Sequence, residues 1–91
     1  MQFNWSEEAE ELLQEGYIKD YKIVERKSVN HVIMILTTLE EIEYELSCSV
    51  DDGIQVLRPE GSLPVFECFE QILHKVSPGY KQKFFSFMNA D

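Results

Sequence analysis

The sequence predicts an α+β fold: an N-terminal helix, a four-stranded antiparallel meander, and two C-terminal helices packed on one face of the sheet. Three observations carry that expectation. In residues 41–50, Ile42, Tyr44, Leu46, Cys48 and Val50 alternate with Glu41, Glu43, Glu45, Ser47 and Ser49. That period belongs to a strand with one buried and one wet face. Asp51-Asp52-Gly53 follows, and Asp-Gly favours the primed turns that match the twist of a hairpin. Beyond Gly61 the period becomes helical: Val65, Phe66, Phe69, Ile72, Leu73 and Val76 mark a single stripe.

The first helix is expected over about residues 5–15. Asn4-Trp5-Ser6-Glu7 resembles a capping box, with Ser6 as a competing cap. Glu7, Glu8, Glu10 and Glu11 occupy the turns where the helix dipole favours negative charge. Ala9, Leu12 and Leu13 form the apolar stripe, and Gly16 is the expected stop. Tyr21, Ile23 and Val24 then mark a first strand, broken at Ser28-Val29-Asn30. The run Val32-Ile33-Met34-Ile35-Leu36 fits a strand covered on both faces. Ile54, Val56 and Leu57 make a fourth strand, ended by Pro59-Glu60-Gly61. Ser62 is the expected cap of the second helix, with Pro64 in its first turn, and Ser77-Pro78 opens the third. Tyr80, Phe84, Phe87 and Met88 share one face of that third helix, and Phe85 falls off it.

Ninety-one residues suit a single domain spanning 1–91, and 44% apolar residues supply one core of modest stability. The net charge of −9 disfavours nucleic acid and anionic membrane surfaces as partners. No apolar run reaches membrane length, and the acidic N-terminus lacks the pattern of a secretory signal. Cys48 and Cys68 stand far apart without a CxxC pair, which suggests free thiols in a reducing, cytoplasmic setting. No metal or cofactor is expected.

Catalysis is not expected either. Asp51 and Asp52 suit a turn, and Glu41, Glu43 and Glu45 suit an open strand face. His74 suits a helix surface, and His31 has no acidic or thiol neighbour at ligand spacing. Two stretches could bind a partner. Leu12 and Leu13 could enter a groove or pack on the chain's own sheet. In Phe84-Phe85-Ser86-Phe87-Met88, the large side chains cannot all face inward, so the segment is either a contact surface or a tail folded back on the core.

The run Phe69, Ile72-Leu73, Val76-Ser77-Pro78-Gly79-Tyr80 and Phe84 resembles the ending of domains of the glycogen synthase kinase-3 interaction protein (GSKIP) family. Tyr44-Glu45-Leu46, Gly53-Ile54-Gln55-Val56-Leu57 and Glu8-Ala9-Glu10 before Leu12-Leu13 are similar to its strands and first helix. A related domain occurs near the N-terminus of clustered-mitochondria proteins. The resemblance implies an α+β scaffold domain without enzymatic activity. It implies binding of glycogen synthase kinase-3 through Tyr80, Phe84, Phe85, Phe87 and Met88. It also implies anchoring of the protein kinase A regulatory subunit through Leu12, Leu13 and Tyr17. Gly16 and Asp20 fall on apolar positions of the family's first helix, and after Met88 the family's last helix continues for several leucine-containing turns. The alternatives are a fold-only module with other partners and a small-molecule-binding domain.

Overall fold

The computed structural model describes residues 4–59, 61 and 63–88, with backbone alone for 84 and 86–88. The elements run α1 (Trp5–Gln14), β1 (Asp20–Ser28), β2 (His31–Thr37), β3 (Glu43–Ser49), β4 (Gly53–Arg58), α2 (Phe69–Val76) and α3 (Pro78–Met88). Asn4 caps α1: its Oδ1 accepts the Ser6 and Glu7 N–H groups at 3.0 and 3.2 Å. At the other end Gly16 adopts φ +79°. The Gly16 N–H reaches the Leu13 carbonyl and the Tyr17 N–H reaches that of Leu12, a Schellman termination.

The sheet order is β1-β2-β3-β4, with every neighbour antiparallel. Register pairs Val32 with Cys48, Met34 with Leu46 and Leu36 with Tyr44. It also sets Cys48 opposite Ile54. These residues share one face, so alternation in three strands produces a continuous apolar floor. Trp5, Ala9 and Leu12 from α1, Phe69, Ile72 and Leu73 from α2, and Tyr80 from α3 pack on it as a single core. The architecture is α+β, with the helical layer on one face of the sheet.

Three expectations shift. The second helix begins at Phe69 rather than near Ser62, with Cys68 at its N-cap. Phe66 instead pairs with the outer edge of β4, exchanging both backbone bonds with Ile54 at 2.7 and 2.9 Å. Ile54 is fully buried. Its outward N–H and C=O need partners, which a helix at 62–68 would not supply. The predicted cap Ser62 itself lies outside the described residues. Secondly, Ile42 and Val50, the ends of the alternating run, lie beyond β3 in turns and are exposed. Thirdly, Ile33 on the far face of β2 stands outside the core cluster against which the helices pack. Ile33 is buried there between its cross-strand neighbours Glu25 and Ser47.

Candidate functional site

The segment that carries the family resemblance becomes a lock between sheet and helix. Ser77 ends α2 and precedes Pro78, the first residue of α3. Its Oγ accepts the Tyr80 N–H at 3.2 Å, capping α3 as the sequence predicts. Glu40, from the turn between β2 and β3, supplies a second cap: its Oε2 accepts the Gly79 N–H at 2.6 Å. Burial pushes the Glu40 carboxyl upward. Hydrogen bonds from the Gly79 N–H, the Ser77 hydroxyl, its own backbone and Thr38 outweigh that push and leave it below its ordinary value. Glu40 was not singled out by the sequence. Its only signal is a glycine at the second position of α3, where a Cβ would stand 2.7 Å from Oε2.

From this lock an aromatic file crosses the helical layer. Tyr17 meets Tyr80 edge-on at 5.1 Å, Tyr80 meets His74 at 5.0 Å, and His74 meets Phe85 at 6.5 Å. Lys83 closes it on one side, donating to the Gly16 carbonyl at 3.1 Å with its ammonium 5.6 Å from the centre of the Tyr17 ring. The file begins in the core and ends in solvent: Tyr80 is 2% exposed and Phe85 is 49% exposed.

Of the residues implied in kinase binding, Phe85 alone is placed at the described surface. Tyr80 is a core residue that orients α3 and cannot touch a partner in this conformation. Phe84, Phe87 and Met88 belong to the backbone of α3, and their side chains lie outside the described residues. The proposed anchoring residues turn inward. Leu12 is buried, while Leu13 and Tyr17 are half-buried against the same core.

The reactive side chains are dispersed. His31 Nε2 and Ser47 Oγ lie 2.8 Å apart across β2 and β3, and no carboxylate orients that imidazole among the described residues. Burial pushes the Cys48 thiol up to about 12, so it stays protonated. Among the described residues, no three His, Cys, Asp or Glu side chains stand close enough to hold a metal ion. No described helix is long and apolar enough to cross a membrane.

Fold and surface together define a two-layer α+β domain with an exposed aromatic on its last helix. Compared with protein-family models, curated proteins and solved structures, the chain matches none.

Proposed function

We propose that this chain is a non-catalytic protein-binding domain of the GSKIP kind, which engages glycogen synthase kinase-3 through the solvent side of α3. The observation that carries the reading is Phe85. A large aromatic ring half in water loses a favourable burial that a partner can supply, and aromatic anchors of this sort dominate interface energetics. Phe85 also rests on a prepared support, since His74 and Tyr80 behind it are held by the core. A fixed ring costs less entropy to bury than a mobile one. The free thiols Cys48 and Cys68 favour a reducing compartment, and we place the domain in the cytosol.

The same geometry argues against anchoring of the protein kinase A regulatory subunit. A groove-docking helix presents its apolar stripe to the partner, whereas Leu12 is spent on this domain's own sheet.

Binding of purified glycogen synthase kinase-3 by isothermal titration tests the proposal. Phe85→Ala should weaken it at least about ten-fold, the loss expected for a central aromatic anchor. The circular dichroism spectrum should stay unchanged, because the ring is outside the core. Absence of binding by the unaltered chain, or unchanged affinity in the variant, would overturn the reading.

A further inference from the structure

The end of the sheet away from Glu40 and Gly79 holds a surface hollow. It is a cleft of about 550 Å³, bounded by Trp5, the turn Ser49–Gly53 and the segment 65–67. Trp5, Val50, Val65 and Phe66 give it an apolar part. Trp5 is almost wholly buried, fixed by a bond from its Nε1 to the Asn30 carbonyl at 3.3 Å and by edge-on contact with Phe69 at 5.6 Å. Phe66 is held by its pairing with Ile54. Val50 and Val65 both line the cleft and are 47% and 54% exposed.

The rim is uniformly acidic. Asp51, Asp52 and Glu67 line the cleft, and no Lys or Arg does. The ion pairs among the described residues are Lys19–Glu41, Lys27–Glu25 and Arg58–Glu45, so none neutralises these three carboxylates. Like charges gathered around an apolar hollow raise the local negative potential, and they are most stabilised by a ligand that brings positive charge.

We propose that this cleft docks a basic segment of a partner protein, seating one bulky apolar side chain against Val50 and Val65 while flanking Lys or Arg residues meet Asp51, Asp52 and Glu67. Charge selects this occupant over the alternatives. A second copy of a chain carrying −9 would bring the same sign to the rim, and nucleic acid would do so more strongly. A bare metal ion leaves the apolar part unused, and no cluster of three donors exists for it among the described residues. The cleft is separate from Phe85: it lies where α2 starts, and Phe85 lies beyond where α2 ends.

Trp5 is the only tryptophan, so its fluorescence reports on the cleft directly. The probe is the synthetic peptide acetyl-Arg-Lys-Leu-Lys-Arg-amide. The comparators have Ser in place of the Leu, or Glu in place of every basic residue. Saturable binding of the probe is expected, about five-fold or more weaker with Ser and abolished with Glu. Asp51→Asn with Asp52→Asn should weaken the probe about five-fold or more, and Glu11→Gln with Glu43→Gln, an equal change of charge elsewhere, less than about two-fold. Val65→Ser, outside the turn in sequence, should weaken the probe independently. Equal effects of the two double variants would overturn the proposal in favour of diffuse attraction. Equal binding of the Leu and Ser peptides would overturn the apolar seat. Self-association that the probe cannot compete away, with Val65→Ser breaking it, would assign the cleft to a second copy instead.

Discussion

A methyl group on Gly79 would stand 2.7 Å from Glu40 Oε2 and 3.2 Å from Leu39 Cβ, so the start of α3 is set by a close approach between two segments 39 residues apart. The two residues should therefore be energetically coupled. In the unaltered chain, Gly79→Ala should cost about 1–2 kcal/mol by urea denaturation, the size of a charge-assisted hydrogen bond lost. In a Glu40→Ala background the added methyl meets no carboxylate, and only the tight contact with Leu39 remains. The same change should then cost clearly less than in the unaltered chain, since the gain of about 1 kcal/mol of Ala over Gly as a helix former offsets the remaining contact with Leu39. Additive costs in the double variant would contradict the lock. Its pH dependence has a definite sign. The folded-state pKa of Glu40 lies below the ordinary 4.5, so its contribution is fully present above that value and is lost as pH falls through the folded-state value. Glu41, lowered by its bond and attraction to Lys19, acts in the same sense. Glu40→Ala should accordingly flatten, without abolishing, the acid limb of a plot of stability against pH. An unchanged limb would remove Glu40 from the account.

Among the elements, those most legible in the sequence are the ones whose pattern and environment agree. The strand Glu43–Ser49 followed by Gly53 at φ +83° follows from alternation and an Asp-Gly turn, because one wet and one buried face demand that period. Residues 63–68 were not legible as an extended arm. Val65, Phe66 and Phe69 fit a helical stripe, and only the open edge of β4 makes a strand-like pairing of Phe66 preferable. A non-local backbone requirement of this kind leaves no mark on local periodicity. The candidate site divides similarly. Phe85 could be recognised because it breaks the stripe of its helix, whereas Glu40 and the acidic cleft depend on turns brought together by the sheet. The sequence left two readings of α1 open, and the burial of Leu12 favours packing on the chain's own sheet. Leu12→Ala should destabilise the domain by about 3 kcal/mol, the cost of a cavity in a packed core. A regulatory-subunit overlay of the unaltered chain should be negative. A loss below about 0.5 kcal/mol, typical of a surface position, would return Leu12 to the pool of binding residues.

At the scale of the whole molecule, charge distinguishes two surfaces that share no residue. The excess of acidic residues lies in the first two thirds of the chain, and residues 62–91 are balanced at three basic and three acidic. The surface around Phe85 is accordingly aromatic and near neutral, with Lys81 and Lys83 exposed close by, while the cleft is acidic. Binding at the first should depend on buried aromatic area and respond weakly to salt. Binding at the second should fall steeply as ions screen the rim. The two surfaces share no residue, and one core packs between the helices and the sheet, so we expect occupation of one to leave the other unchanged. Two titrations check this. Phe85→Ala should lose kinase affinity and leave the basic peptide's affinity within about two-fold of its original value. The Asp51→Asn, Asp52→Asn pair should do the reverse, and kinase affinity should not change by more than about two-fold when the cleft is saturated with peptide. If instead the acidic pair of substitutions abolishes kinase binding while Phe85→Ala leaves it intact, the kinase engages the cleft. The exposed ring of α3 would then be a surface aromatic and nothing more.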